Sequence, residues 1–224
     1  MSRPGTIAID GPSAAGKNTV GSRLAEKMGY LFVDTGAMYR ALTWLAIKRG
    51  VDLEDEEALG KLTLEADMDI RCSNSDTHNQ VFVNGQDVTT ELRRADVERG
   101  VSLVSKVPAV REAMVAKQRQ LAHERKVVMV GRDIGTVVLH DADMKVYLSA
   151  SPEERARRRY LEQIERGQTT EYGKVLDDLN RRDGIDSRRT HSPLKPAEDA
   201  VIVDTDGVDA DAVVAKIVRL IEAR

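Results

Sequence analysis

Residues 11 to 19, Gly11-Pro12-Ser13-Ala14-Ala15-Gly16-Lys17-Asn18-Thr19, have the spacing Gly-x4-Gly-Lys of a loop that cradles phosphate. Glycines at 11 and 16 let the backbone turn tightly with its N–H groups facing inward. A helix starting behind them adds free N–H groups and the positive end of its dipole, and Lys17 adds a full charge. The strict form of this loop has Ser or Thr directly after the lysine, where the hydroxyl meets Mg²⁺. Here that place holds Asn18 and Thr19 follows, which argues against a GTPase or a motor ATPase.

A phosphate loop implies phosphoryl transfer or hydrolysis. Transfer to a hydroxyl calls for a carboxylate base. Transfer to another phosphate does not, because a phosphate monoester with a second pKa of about 6 is already mostly a dianion at neutral pH. It calls for arginines that bring two polyanions together and hold charge on the transferring group. Arg40, Arg132, Arg182, Arg189 and the set Arg155, Arg157, Arg158 and Arg159 meet that demand. Between 153 and 189 stand nine arginines and one lysine against nine acids. That balance rules out a polybasic nucleic-acid arm, and the excess of fork-shaped guanidinium favours phosphate recognition over plain solvation. Some of these arginines, Arg166 among them, belong in helix-face salt bridges. Arg40 and Tyr39 read equally well as a surface arginine and a core aromatic; for Arg132 with Asp133 a buried structural pair is the lesser alternative to a site role.

An alternating chain has to position these groups. Thr6 to Asp10 is a β-branched run suited to a buried strand, and Val20 to Met28 reads as a helix with Val20, Leu24, Ala25 and Met28 on one face. Gly29 closes it. A second strand over 30–33 ends at Asp34, and a helix carrying Thr35, Tyr39 and Arg40 continues to Gly50. Glu54 to Glu57 open another helix that runs to about Ala66. Residues 67–90 change character, with short alternating segments and Asn84-Gly85 between apolar residues, the strongest short hairpin signal. Helices over 91–125 divide at Pro108, with Ser102 and Arg111 on either side. Val127 to Val130 is a buried parallel strand that stops at Gly131-Arg132-Asp133, which puts charges at the carboxyl edge of the sheet. A strand over 144–148, a capped helix from Ser151, a second helix near 170 to 183, a last strand over 200–204 and an amphipathic helix from Asp209 complete the chain. The pattern predicts a parallel α/β sheet covered by helices on both faces, with a small antiparallel sheet inserted.

With 224 residues the chain suits one domain with an insertion. Its 34 basic and 37 acidic residues give a net charge of −3, so no overall field draws nucleic acid or an anionic membrane. No apolar run of about 18 residues and no signal segment occur, and a cytoplasmic monomer is expected. A single cysteine, Cys72, excludes an internal disulfide, and it reads as a small buried residue. His78, His123, His140 and His191 have no metal-ligand spacing, and no protein metal site is expected.

Gly11 to Thr19, Asp34-Thr35-Gly36-Ala37-Met38-Tyr39-Arg40, Val107 to Arg111, Gly131-Arg132-Asp133-Ile134-Gly135-Thr136-Val137-Val138 and Arg182-Asp183 to Arg189 together resemble the motifs of the bacterial cytidylate kinase family, in its order and spacing over essentially the whole chain. The resemblance implies ATP with Mg²⁺ phosphorylating CMP or dCMP, with UMP the nearest rival acceptor. It implies a core over about 1–62, 105–150 and 190–224, a nucleotide-monophosphate lobe over about 63–104 and an Arg-rich helical lid over about 151–189. It also implies that Gly11 to Thr19 hold the ATP phosphates with Lys17 bridging to the transferring group, and that Arg155, Arg158 and Arg159 close over them. Arg40, Arg132 and Arg189 would grip the CMP phosphate beside Thr35, Tyr39 and Gly131. Asp186 and Arg182 would meet the ribose, while Ser102, Arg111 and Asp133 would read the base. Lys17, Arg132, Arg158 and Arg189 would act on the transferring group. Asn18 stands where the family has Gly or Ser, and metal coordination there is expected through water. Gly167 and Gly173 mark the expected hinge of the lid. A nucleotide-binding switch would need Asn-Lys-x-Asp, which the chain lacks.

Overall fold

A computed structural model describes residues 5–71, 79–123 and 125–223; Cys72, the polar stretch 73–77 and His78 lie outside the described residues. Strand β1 (Thr6–Asp10) feeds the phosphate loop and helix α1 (Lys17–Met28), and β2 (Leu31–Asp34) runs directly into α2 (Thr35–Lys48). After α3 (Glu56–Glu65) come three antiparallel strands, β3 (Met68–Arg71), β4 (Gln80–Val83) and the short β5 (Gln86–Asp87). Helices α4 (Ala95–Lys106) and α5 (Pro108–Ala122) lead to β6 (Val127–Val130) and β7 (Met144–Ser149). Then α6 (Pro152–Glu165) and α7 (Tyr172–Arg188) pack as a hairpin ahead of β8 (Val201–Asp204) and α8 (Ala210–Glu222).

The five parallel strands have the order β2-β6-β1-β7-β8. Their register aligns three carboxyl ends: Asp34 pairs with Val130, Ile9 with Val130, and Asp10 with Tyr147. The chain leaves β1 toward β2 on one side and reaches β7 on the other, so a crevice opens at the ends of β1 and β6, where such sheets collect ligands. All four residues of β6 are buried, as a strand covered on both faces requires. Ile7, Ile9, Leu24 and Phe32 pack with Val213, Val214 and Ile217 of α8 on one face, and Ala8, Val33 and Met129 pack with Ala122 on the other. Removing each of the larger of these side chains from water stabilises the fold by about 1.5–3 kcal/mol. A third cluster joins Leu42 and Leu45 of α2 to Val81 and Val83 of the small sheet and to Val101 and Val110.

The hairpin signal at Asn84-Gly85 is realised with φ of 50° and 76° at the two residues, the left-handed pair that a two-residue hairpin needs. Ser151 caps α6 by accepting from the Glu154 N–H, and Pro152 occupies its first turn. Two boundaries differ from the sequence reading. Helix α1 begins at Lys17 rather than Val20, because Gly16 takes a left-handed conformation, φ 88°, and turns the chain directly into it. Helix α7 does not stop near 183. Gly184 is tolerated inside it, and the run to Arg188 puts Arg182 and Asp186 four residues apart on one buried face.

Candidate active site

The phosphate loop is shaped by close packing at its first glycine. Gly11 has φ 149°, and a Cβ there would lie 2.2 Å from the Leu148 carbonyl oxygen, so no other residue fits. Gly11, Pro12 and Ala15 form the turn from behind, whereas Ser13, Ala14, Gly16, Lys17, Asn18 and Thr19 line a cavity of about 420 Å³. Lys17 is 6 % exposed, and its Nζ donates to the Pro12 carbonyl at 2.6 Å. Burial pushes the Lys17 amine well below its ordinary value and Arg132 presses in the same direction, against the pull of Asp10, Asp34 and Asp183.

Opposite the loop, α2 presents Arg40, whose Nη2 donates to Asp34 Oδ2 at 2.7 Å. The same oxygen accepts from Asn18 Nδ2 at 2.7 Å. Burial raises the Asp34 carboxyl, but Arg40, Arg93 and these hydrogen bonds outweigh it and hold it below its usual value. Thr35 Oγ1 donates to the Val130 carbonyl at 2.9 Å and sits against Gly131, where a Cβ would meet it at 2.7 Å. That packing brings the backbone after β6 up to the first turn of α2. Tyr39 is buried in the core cluster, and burial raises its phenol to about 12.

Arg132 and Asp133 do not pair with each other. Arg132 Nε donates to Asp186 Oδ2 at 3.0 Å, and its Nη2 donates to Ser13 Oγ at 3.3 Å. Asp133 accepts from Arg111 and lies 3.7 Å from Arg189 Nη2, with all three side chains nearly closed off from water. Arg111 also donates to the Ser105 carbonyl at 3.2 Å, and Ser102 is buried beside it in the cavity wall. Behind this segment Asp10 accepts from the N–H groups of Ile134 and Gly135 at 2.7 Å each, the start of a π-helical turn over Ile134–Val138. Burial lifts the Asp10 carboxyl to about 6, despite those two bonds.

On α6, Arg158 and Arg159 reach the cavity and Arg155 does not. Arg158 donates to the Thr205 carbonyl, to Thr205 Oγ1 at 3.1 Å and to Glu154 at 2.8 Å. Arg159 bridges Glu98 of α4 and Glu162. Arg155 lies outside the cavity wall, pairing with Asp183 at 2.5 Å and donating to the Ser13 carbonyl at 3.2 Å, so it braces the phosphate loop from behind. Arg157, Arg166 and Arg181 form helix-face salt bridges.

Cations crowd one another in this cavity. Arg40 is the main cause that lowers Arg93 to about 10, burial followed by Arg132 lowers Arg182 to about 10, and burial followed by Arg111 lowers Arg189. Among the described residues the Nε atoms of Arg40, Arg111 and Arg182 and Nη2 of Arg189 are buried without a hydrogen-bond partner. Guanidiniums crowded this way give the cavity a positive wall that suits a polyanion. Sequence reasoning missed Asp10, Asp34, Arg93 and Glu98 as members of this region. The two aspartates end buried strands, a signal that was visible, whereas Arg93 and Glu98 carry none.

The family model "Cytidylate kinase" matches residues 7–223. The chain is 50% identical over 225 residues to a cytidylate kinase of Geobacillus kaustophilus, covering 100% of this chain and 99% of that one. It is 48% identical over 222 residues to one of Shouchella clausii, covering 99% and 98%, and 45% identical over 224 residues to one of Bacillus subtilis, covering 100% and 99%. Among solved structures, a gluconokinase of Sinorhizobium meliloti superposes with TM-score 0.51 at 17% identity, covering 100% of this chain and 97% of that one, a likeness of fold alone.

Proposed function

The chain belongs to the cytidylate kinase family, and we propose that its cavity transfers the γ-phosphoryl group of ATP to the phosphate of CMP or dCMP, giving ADP and CDP or dCDP. The observation that carries this reading is the phosphate loop facing Arg40, Arg132, Arg182 and Arg189 across one cavity. The acceptor arrives as an anion already deprotonated at neutral pH, so the site needs no general base. What it must supply is charge and alignment.

In this reading the loop from Gly11 to Thr19 holds the ATP phosphates and Lys17 follows the charge that moves with the transferring group. A lysine with a lowered pKa and, among the described residues, a carbonyl as its one hydrogen-bond acceptor gains most from an incoming phosphate. Arg40, Arg132 and Arg189 hold the acceptor phosphate, beside Thr35, Tyr39 and Gly131, and Asp186 with Arg182 takes the sugar. Arg158 and Arg159 exchange Thr205, Glu98 and Glu162 for ATP phosphates when the lid over about 151–189 closes on the core, with the lobe over about 63–104 closing from the other side. Closure excludes water, which would otherwise hydrolyse ATP.

The base is read by complementarity. Cytosine offers an amine donor beside two acceptors, so an acceptor such as Asp133 or Ser102 faces the amine and Arg111 faces the acceptors. Uracil reverses the first two groups and would leave buried partners unpaired, a discrimination on the order of 10⁴ for sites built this way. Nothing favours UMP as the acceptor.

Among the described residues no group of three acidic, His or Cys side chains could cage a metal. Hard oxygen donors do line the cavity beside Lys17, the Asp34 carboxylate and the Thr19 hydroxyl. They suit Mg²⁺ arriving with ATP and keeping most of its waters. Mg²⁺ would neutralise phosphate charge. Asn18, whose amide donates to Asp34, would meet the ion through water. Phosphorus NMR of a mixture with Mg²⁺, ATP and CMP tests the reading. One ADP and one CDP per ATP lost is expected, and free phosphate in place of CDP would refute it.

A further inference from the structure

Asn79 is a buried polar residue that none of the roles above uses. It is 5 % exposed, stands directly before β4 of the small sheet and does not line the cavity. Strand β2 is an edge of the large sheet, paired with β6 on one side only. Among the described residues no strand pairs its other side, to which the Phe32 carbonyl and the Asp34 N–H turn, and a buried edge left that way is costly. Asn79 satisfies both groups. Its Nδ2 donates to the Phe32 carbonyl at 2.8 Å, and its Oδ1 accepts from the Asp34 N–H at 2.7 Å. A carboxamide has the donor and acceptor of a peptide unit, so this one side chain acts as a strand one residue long on the edge of β2.

The residue it fixes is Asp34, whose Oδ2 holds both Arg40 and Asn18. Apolar packing of Val81 and Val83 against α2 attaches the lobe independently of Asn79. That packing is non-directional, whereas the two amide bonds set register and orientation. We propose that Asn79 is a positioning residue for the acceptor phosphate: from the antiparallel lobe it orients the backbone of Asp34, and through the Asp34 carboxylate the guanidinium of Arg40. The inference rests on the proposed kinase function, in which Arg40 meets that phosphate.

The test compares wild type, Asn79→Ala, Asn79→Asp, Arg40→Lys and the double variant N79A/R40K by KM for CMP, KM for ATP, kcat and Tm. Asn79→Ala should raise KM for CMP about tenfold and move KM for ATP less than about twofold. Asn79→Asp keeps the size and the acceptor for the Asp34 N–H but sets a second acceptor against the Phe32 carbonyl. It should move KM for CMP in the same direction with the lobe still packed. In the Arg40→Lys background, Asn79→Ala should add less than about twofold to KM for CMP, because the two residues act in series. A lower Tm with KM for CMP unchanged in both Asn79 variants would overturn the proposal, as would a full tenfold increase on top of Arg40→Lys. A wild-type protein that turns over ATP but not CMP would instead remove the kinase reading on which it rests.

Discussion

Replacing Asp133 by asparagine removes the carboxylate that lies between two buried guanidiniums, those of Arg111 and Arg189. The three side chains are 6%, 5% and 4% exposed in the order Asp133, Arg111, Arg189, so water cannot take the place of the lost charge. Removing one partner of a buried ion pair costs about 3–5 kcal/mol. Asparagine keeps one acceptor oxygen, which places the expected loss near the lower figure, and at about 2–4 °C per kcal/mol a chain of this size should lose about 6–12 °C in Tm. The new amide also turns a donor toward the position where the cytosine amine is expected to donate. One charge-assisted hydrogen bond is worth about 1.5–3 kcal/mol, so the ratio of kcat/KM for CMP over UMP should fall by about 10- to 150-fold. Thermal unfolding without ligand and steady-state kinetics with both acceptors measure the two effects. A lowered Tm with an unchanged ratio would take Asp133 out of base reading, and an unchanged Tm would refute the ion-pair arithmetic.

Lys17 separates stability from turnover. Its buried ammonium is pressed by Arg132, so Lys17→Met should unfold at the same or a higher temperature than wild type while turnover falls at least about 10³-fold; a lower Tm would contradict the burial argument. Asp10 is raised from 3.8 to about 6, so the native chain binds that proton more tightly than the unfolded one, and the contribution of Asp10 to stability declines as pH rises from about 4 to about 6 and is level above. Urea unfolding at pH 5 and pH 7 should therefore show wild type gaining on Asp10→Asn at the lower pH, and a gap independent of pH would count against the buried carboxyl. Arg155→Lys keeps the charge but loses the fork whose Nη1 meets Asp183 and the Ser13 carbonyl while its Nε holds the Ala150 carbonyl, so KM for ATP should rise about fivefold with little change for CMP; equal effects on both would place Arg155 elsewhere than behind the loop.

The large sheet was legible because periodicity and turn chemistry agree along it. Val127 to Val130 is apolar throughout and stops at Gly131, and the structure makes it the buried β6 with the crevice at its end. Asn84-Gly85 named its hairpin outright. The end of α7 was not legible, since Arg182 and Asp183 ahead of Gly184 look like a terminus, and the burial of Arg182 and Asp186 on one face, which only the folded packing supplies, carries the helix to Arg188. The candidate site divides in the same way. The loop and the arginines stand out by type and spacing, and so does the sheet edge on which Arg132 and Asp133 lie. Their partners do not, because pairing Arg132 with Asp186 spans 54 residues and pairing Arg111 with Asp133 spans 22. Asn79 is legible only in three dimensions, where an ordinary polar residue in a loop becomes the cover of a strand edge.

The central claim is that this cavity joins ATP to a cytosine nucleotide. ADP formation by the purified protein with Mg²⁺ and ATP, run in parallel with CMP, dCMP, UMP, AMP, GMP and dTMP, tests it most directly. Fast turnover confined to CMP and dCMP is the predicted result. Fast turnover with another of the acceptors would contradict the base reading at Ser102, Arg111 and Asp133, and slow ADP formation indifferent to every acceptor would contradict the kinase itself.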